Sequence, residues 1–521
     1  MKQEESMQDT TIPHLRKQGN ALQLIVDGKP FLILGGELHN SSASSMAYMA
    51  PIWERMLALN INTVLAPISW ELLEPEEGMF DFTLVDALIQ DARTHNLRLI
   101  LLWFGSWKNG TSSYVPGWVK QDYHRFPRIP IRDGRSAEVL STLAEANWQA
   151  DAAAFAALMQ HIRTVDNTHH TVIMIQVENE VGIQSDSRDR TPAANDAFAG
   201  QVPQELMEQL KEHQNELAPE VLQSWMAHGL KASGTWEETF GSGPDTDEFF
   251  MAWTYARYID AVTLAGKNQY ALPMFVNTWL RHPTNKMGDW LHGSSLPYVF
   301  DIWLAGAPHI DFLTPDIYVP NFSEWCERYT RRGNPLFIPE MFPDVSGARN
   351  IFYAIGQHNA IGTSPFAVDG IEQPETAPLS QTYASLKQLT PLILEHQGRN
   401  VTIGVLLDKN HSGFTWRTEQ FELNITLDST WRTTAENGYG LIIALSPDTF
   451  IGVGSGFGIS FKPITPGPAL AGLRSVDEGT YDAGKWLPGR RLNGDETDQG
   501  HKWRFSPLGI SIQRCTVYRY E

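Results

Sequence analysis

Short apolar runs alternate with amphipathic stretches from about residue 31 to about residue 390. The runs are nearly continuous in apolar residues, which is typical of parallel strands that are buried on both faces. They cover residues 31–37, 61–71, 97–107, 171–180, 272–279, 310–318, 335–340 and 361–370. Helices are predicted between them, at 47–59, 83–95, 147–164, 247–268, 322–332 and 346–358. Eight such strand units predict an α/β fold, a (β/α)8 TIM barrel with long insertions.

The stretches beside the barrel predict the domain limits. Residues 1–14 are polar and are expected to form a disordered tail. The segment ALQLIVDGKPFLILGG has two β-rich runs around Asp27-Gly28, which predicts a β-hairpin at the start of a barrel domain covering residues 15–395. Beyond it, the alternating pattern with Gly and Pro turns predicts a C-terminal all-β, sandwich-like domain at 396–521.

Composition narrows the classes of partner. The chain has 521 residues and a formal net charge of −20, which argues against a nucleic-acid or anionic-membrane surface. It has no run of apolar residues long enough to predict a membrane span. Cys326 and Cys515 are its two cysteines and predict neither a disulfide framework nor a zinc site. The N-terminus lacks an apolar signal core, so the sequence as it stands predicts a cytoplasmic protein; removal of a signal peptide would make it periplasmic or secreted.

The predicted strands end in carboxylates, amides and indoles. Functional residues of a barrel lie at the C-terminal ends of its strands. Strand four ends in Glu178, Asn179 and Glu180, and strand seven, PLFIPE, ends in Glu340. The sequence has no GxSxG elbow, no P-loop and no His pair at metal-ligand spacing on a strand end. Neither a cofactor nor a metal is therefore predicted.

Two acids facing each other across a barrel mouth fit glycoside hydrolysis. One carboxylic acid protonates the leaving oxygen, and the other attacks the sugar carbon or activates water. Strand alternation points Glu178 and Glu180 to one face. We choose Glu180 as the acid because it lies nearer the strand end, with Glu178 as a hydrogen-bonded second-layer carboxylate. For Glu340, the alternative is a structural ion pair.

These motifs resemble a known family. Glu180 and Glu340 look like the two catalytic glutamates of the clan A retaining glycosidases. QVENEVG (176–182) resembles the acid/base signature of family 35 β-galactosidases, and SWELLEPEEGMFDF (69–82) resembles that family's second-strand segment. DGKPFLILGGELHNSSASS (27–45) is similar to a bacterial branch of family 35, some members of which trim galactose from xyloglucan side chains.

The resemblance implies a double-displacement mechanism. Glu180 would act first as general acid and then as base, and Glu340 would be the nucleophile. Asn179 would hydrogen-bond the sugar 2-hydroxyl. Tyr318 would donate a hydrogen bond to Glu340 and help to keep it ionised.

Other strand-end residues are candidates for binding the sugar. Indoles can stack on the apolar face of a pyranose, although core packing is an equal alternative for each of them: Trp70, Trp103, Trp107 and Trp279. Polar side chains predicted to bond hydroxyls are Glu37, Asn40, Lys108, Asn277 and Asp316. The third-strand segment LLWFGSWKNG departs from the better-known family members, which leaves the subsites open.

The expected function is that of an exo-acting retaining β-galactosidase that releases terminal β-galactose from oligosaccharides. A β-glucosidase, an arabinopyranosidase or a transglycosylase with the same two glutamates are alternatives. A non-catalytic carbohydrate-binding barrel is a further alternative from a different class. The predicted partner is an oligosaccharide, and the assembly is left open, with a homodimer as one alternative.

Overall fold

The computed structural model describes residues 12–130, 134–184, 186–429, 434–482 and 484–521. Of the tail predicted at 1–14, residues 1–11 lie outside the described residues, and His14 begins the first strand. Within the described residues, the strands that precede the predicted C-terminal domain are β1 (His14–Gln18), β2 (Ala21–Val26), β3 (Lys29–Phe31), β4 (Ile33–Glu37), β5 (Thr63–Ser69), β6 (Arg98–Lys108), β7 (Arg128–Pro130), β8 (Ser136–Leu140), β9 (Val172–Asn179), β10 (Met274–Trp279), β11 (Phe312–Asp316), β12 (Phe337–Ile338) and β13 (Gly362–Thr363).

The α-helices lie between these strands and after them. They are α1 (Met46–Met49), α2 (Ile52–Ala58), α3 (Trp70–Leu73), α4 (Thr83–Thr94), α5 (Gly117–Gln121), α6 (Glu145–Asp166), α7 (Pro192–Ala199), α8 (Gln204–Glu212), α9 (Pro219–Ala227), α10 (Trp236–Phe240), α11 (Pro244–Lys267), α12 (Phe300–Gly306), α13 (Phe322–Tyr329), α14 (Val345–His358) and α15 (Pro378–His396). Among the described residues, none of them combines the length and the apolar character that a membrane crossing requires.

Eight parallel strands form the barrel, in the spatial order β11-β10-β9-β6-β5-β4-β13-β12. A parallel bridge between Ile317 and Met341, just beyond β11 and β12, joins the two ends of this order. Each of the eight predicted apolar runs coincides with one of these strands, with β6 extending one residue beyond its run, so the predicted barrel is confirmed. The insertion after β9 carries the α-helices α7 to α10.

The barrel interior is filled by alternate side chains of the strands. Along β6, Ile100, Leu102 and Phe104 belong to the inner cluster, while Leu101 and Trp103 pack outward against the helices. The predicted hairpin pairs β2 with β3 around Asp27-Gly28, and side chains of this hairpin join the inner cluster. It therefore closes the end of the barrel opposite the mouth.

The C-terminal region forms two antiparallel sheets, which confirms the predicted all-β architecture. Its strands are β14 (Thr402–Leu407), β15 (Gly413–Arg417), β16 (Phe421–Leu427), β17 (Gly438–Ser446), β18 (Thr449–Ser455), β19 (Phe457–Pro463), β20 (Leu470–Asp482), β21 (Lys485–Leu492), β22 (Trp503–Phe505) and β23 (Ser511–Tyr520). The six-stranded sheet has the order β14-β17-β18-β23-β20-β21, and the four-stranded sheet has the order β15-β16-β19-β22.

The six-stranded sheet packs on both of its faces. Ile442 and Phe450 point into the core between the two sheets. Their neighbours Leu441, Ile443 and Ile451 point the other way and belong to the cluster that contains the barrel helices. Helix α14 makes the principal contacts, with β14 and β17. The sheet thus shares one continuous apolar core with the barrel.

Candidate active site

The mouth of the barrel brings three carboxyl groups together. Glu180 follows β9, Asp316 ends β11 and Glu340 lies two residues beyond β12. One carboxylate oxygen of each lies within 4.8 Å of one oxygen of each of the others. The residues are only 4%, 0% and 5% exposed, respectively. Buried like charges at this separation repel strongly, so the cluster must hold protons or be balanced by donors.

Three donors converge on the carboxylate of Glu340. Asn179 Nδ2 and Asn277 Nδ2 each lie 3.3 Å from its Oε1. The Tyr318 hydroxyl donates to its Oε2 at 3.1 Å. Hydrogen bonds of this kind favour the ionised form of a carboxyl group. Tyr318 thus makes the hydrogen bond to Glu340 that the family resemblance implies.

Glu180 is in a different electrostatic state. Its backbone N–H donates to Asn277 Oδ1 at 3.0 Å, and its side chain accepts a hydrogen bond from Asn109 Nδ2. Burial and the nearby charge of Glu340 raise the pKa of Glu180 from 4.5 to about 7, against the opposing effect of Lys108. Glu180 can therefore carry a proton near neutral pH, which a general acid requires.

Lys108 places a cation beside this cluster. It ends β6, is 6% exposed, and its ammonium lies 5.2 Å from the centre of the Phe104 ring. Burial alone would lower the pKa of Lys108, but the negative charges around it, principally Glu340 and Glu180, outweigh burial and raise it. The side chain stays charged and partly balances the acids of the mouth.

Glu37 and Asn40 mark the first-strand side of the mouth. Glu37 ends β4 with no exposed surface, and within the described residues both of its carboxyl oxygens lack a partner. Burial and the charge of Glu340 raise the pKa of Glu37 well above its ordinary value. Asn40 is half-buried and lines a cavity of about 240 Å³ together with Ser69 and Tyr114.

Glu178 does not share the direction of Glu180. It accepts backbone hydrogen bonds from Ser106 at 3.0 Å and from Trp107 at 2.7 Å. Both glutamates have positive φ, 61° at Glu178 and 45° at Glu180, so the chain leaves regular strand geometry and alternation fails. The expected hydrogen-bonded role of Glu178 stands, but the argument that placed both side chains on one face is wrong.

Three of the four tryptophans predicted to stack on sugar do not reach the mouth. Trp70, Trp103 and Trp107 have no exposed surface and belong to the cluster between strands and helices. Trp103 Nε1 donates to Asp151 on α6 at 2.8 Å. Their stacking role is therefore corrected to core packing, because Trp103 alternates outward from β6, Trp107 packs on α11, and Trp70 begins helix α3 beyond the end of β5.

Trp70 and Trp107 have defined contacts within this layer. Trp70 Nε1 donates to Glu74 at 2.8 Å. Trp107 packs on Tyr255 and Tyr258 of α11 at ring distances of 5.0 and 4.5 Å. Trp279, at the end of β10, stays partly exposed. Of the four tryptophans predicted to stack on sugar, Trp279 is the one whose side chain remains accessible to a ligand.

Asn109 was not among the residues predicted to bind or catalyse. Asn109 and Gly110 both have positive φ, and Gly110 N donates to the backbone carbonyl of Glu180 at 2.9 Å. The turn thus aims the Asn109 amide at the Glu180 carboxyl. An Asn-Gly pair directly after a buried strand is a turn signal that could have located it.

Comparison with known proteins supports the same family. The family model described as "Glycosyl hydrolases family 35" matches residues 23–240. Residues 379–504 match a domain of unknown function, DUF5597. A β-galactosidase of Xanthomonas manihotis is 30% identical over 171 residues, which are 32% of this chain and 26% of that protein. The chain thus aligns with about a quarter of the length of that relative.

A solved structure supports the fold. The GH42 β-galactosidase Gan42B superposes with a TM-score of 0.50 at 11% identity, covering 97% of this chain and 100% of that one. The β-galactosidase of Bacillus circulans sp. alkalophilus gives a TM-score of 0.47 at 14% identity, over 70% of this chain and 57% of that one. The resemblance that the motifs predict is supported over residues 23–240, which match the model of glycosyl hydrolase family 35.

Proposed function

We propose that this chain is an exo-acting retaining β-galactosidase that releases terminal β-galactose from oligosaccharides, including side chains of the xyloglucan type. The main observation behind this proposal is that carboxyl oxygens of Glu180 and Glu340 lie within 4.8 Å of each other. Retaining enzymes hold their two carboxyl groups about 5–5.5 Å apart, whereas inverting enzymes need roughly 6.5–9.5 Å. The short separation supports nucleophilic attack by protein over attack by an intervening water.

The surroundings of the two glutamates support the roles that double displacement requires. Glu340, with three hydrogen-bond donors, attacks the anomeric carbon as a carboxylate. Glu180 protonates the leaving oxygen and then removes a proton from the incoming water. Formation of the ester removes the charge of Glu340, and with it one cause of the raised pKa of Glu180. Glu180 then becomes a better base for the second step.

Unpartnered polar atoms support binding of sugar hydroxyls. Among the described residues, both carboxyl oxygens of Glu37, Asn40 Oδ1 and Asn179 Oδ1 are buried without a hydrogen-bond partner. Such atoms are costly unless a ligand or water satisfies them. We assign them, with Lys108, to the hydroxyls of the bound sugar, and the partly exposed Trp279 to its apolar face.

The depth of the mouth supports exo action. The three central carboxyl groups are at most 5% exposed, so only a chain end can place its sugar between them. We further propose the domain limits 15–395 and 396–521, with the second unit bracing α14. A cytoplasmic location and the oligomeric state stay predictions.

Initial rates on aryl β-galactoside, β-glucoside, α-arabinopyranoside and β-xyloside test the proposal, with Glu340→Gln as the variant. We expect the β-galactoside to be hydrolysed fastest, with retention of configuration observed by proton NMR, and the variant to be inactive. Preference for another sugar would keep the mechanism and change the specificity. Inversion, or a variant as active as wild type, would contradict the assigned roles.

A further inference from the structure

We infer that Asp316 is a positioning residue for the catalytic acid: its carboxyl group retains a proton and donates it in a hydrogen bond to Glu180. The cluster of Glu180, Asp316 and Glu340 then carries a single negative charge in the resting enzyme. This inference rests on the proposed function, because it assigns Asp316 a role in the acid step. It differs from the sequence prediction, in which Asp316 bonds a sugar hydroxyl.

The contacts of Asp316 leave one of its oxygens for Glu180. Its Oδ2 accepts from Asn277 Nδ2 at 2.8 Å. Its Oδ1 is buried and has no donor among the described residues. The carboxyl group lies against that of Glu180, and this contact becomes a hydrogen bond when one of the two is protonated. A fully buried carboxyl with one neutral donor is a poor site for a charge.

The surrounding groups place the charge on Glu340. Three donors reach Glu340, whereas Asp316 has one. The nearby cation, Lys108, forms no ion pair within 4.0 Å in the part of the chain that the structure describes. It can therefore balance about one carboxylate. The titratable groups around Asp316 from the packed elements are Glu37, Lys108, Glu180, Tyr318, Tyr329 and Glu340.

The shifts in pKa agree with this distribution of protons. Burial, followed by the charges of Glu340 and Glu180, raises the pKa of Asp316 well above its ordinary value. The hydrogen bond between the two carboxyl groups raises the pKa of Asp316 and lowers that of Glu180. Asp316 is thus the donor and Glu180 the acceptor when one proton is shared.

The proton of Asp316 strengthens Glu180 as an acid. In the first step the Glu180 proton moves to the glycosidic oxygen, the bond from C1 to that oxygen breaks, and a bond from C1 to Glu340 forms. Glu180 becomes a carboxylate, and the Asp316 hydroxyl stabilises it. In the second step Glu180 takes a proton from water, whose oxygen replaces Glu340 at C1. Asp316 keeps its own proton throughout.

Leaving-group dependence separates this role from sugar binding. We expect Asp316→Ala to lose kcat/KM by about 10- to 100-fold on phenyl β-galactoside, the range for a hydrogen bond to a charged group. The loss on 2,4-dinitrophenyl β-galactoside should be several-fold at most, because that leaving group needs little protonation. Equal losses on the two substrates would overturn the inference and favour contact with the sugar.

The pH profile of a second variant, Asp316→Asn, tests whether Asp316 is protonated. This test remains available even if the Asp316→Ala variant fails to fold. An amide still donates to Glu180, so the alkaline limb of kcat/KM should stay within about half a pH unit of wild type or rise. If Asp316 were ionised, removing its charge would lower that limb by about one unit or more, which would overturn the inference. Asp311→Asn, at the opposite end of β11, is the matched control and should keep the wild-type profile.

The test also separates failure of the inference from failure of the proposed function. A wild-type protein that hydrolyses neither galactoside would remove the function itself. A wild-type enzyme that is active, with Asp316→Ala equally impaired on both substrates, would remove only the role of Asp316.

Discussion

Replacing Glu340 by Gln should lower the pKa of Glu180, which is about 7 in the intact protein. The substitution removes a negative charge within 4.8 Å of the Glu180 carboxyl. At an effective dielectric constant of about 20, two unit charges at that distance interact by about 3.5 kcal/mol. This energy corresponds to about 2.5 in pKa and is an upper estimate.

The expected change is smaller than that limit. Burial is the largest cause of the raised pKa and is unchanged by the substitution, while Lys108 continues to oppose it. We therefore expect the pKa of Glu180 to fall by about 1 to 2 in Glu340→Gln. The same fall should accompany formation of the glycosyl ester in the wild-type enzyme.

Carbon-13 NMR of the glutamate carboxyl groups measures this pKa directly. Titration of the wild-type protein and of Glu340→Gln, with Glu180→Gln to assign the resonance, gives the two values. Glu422→Gln, which removes a carboxylate paired with Arg417 on the four-stranded sheet of the C-terminal region, is the control and should leave the Glu180 titration in place. A Glu180 pKa in Glu340→Gln within about 0.3 of wild type would refute the electrostatic reasoning.

Three further perturbations test separate parts of the structure. Tyr318→Phe removes the hydroxyl that donates to Glu340 at 3.1 Å, and initial rates should show kcat/KM falling by about 10- to 100-fold. Trp103→Phe leaves Asp151 without its indole donor, so calorimetry should show a loss of about 1–3 kcal/mol in the free energy of unfolding. The KM for the galactoside should not change, and a raised KM would indicate that Trp103 contacts the sugar after all. Truncation after residue 395 exposes the apolar surface of α14 that the six-stranded sheet covers, so the product should be insoluble; a soluble and fully active barrel would contradict the shared core.

The barrel was predictable because its strands are buried on both faces. Such strands read as unbroken apolar runs, and each of the eight runs coincides with a barrel strand. The acids were predictable because a carboxylate at the end of a buried strand is costly without a function. Glu180 and Glu340 stand out from their apolar runs for this reason.

Because the strands are buried on both faces, the apolar pattern does not reveal which tryptophans face the mouth. Leu102, Trp103 and Phe104 are all apolar, so the pattern does not reveal that Trp103 alternates outward while its neighbours fill the barrel. Likewise, positive φ at Glu178 and Glu180 reverses the direction that alternation predicts. The sequence therefore located the mouth and its acids, but it did not give the orientation of each side chain.

The proton held by Glu180 also links catalysis to thermodynamic stability. In the unfolded chain Glu180 ionises near 4.5, whereas in the fold its pKa is about 7. The unfolded state therefore binds fewer protons than the folded state between these values, and the free energy of unfolding falls as pH rises through that window. A difference of about 2.5 in pKa corresponds to about 3.4 kcal/mol of stability, which is fully lost above about pH 7. Ionisation of Glu180, which the reaction requires, thus lowers the free energy of unfolding in mildly alkaline solution. Packing in the remainder of the core must compensate for this loss.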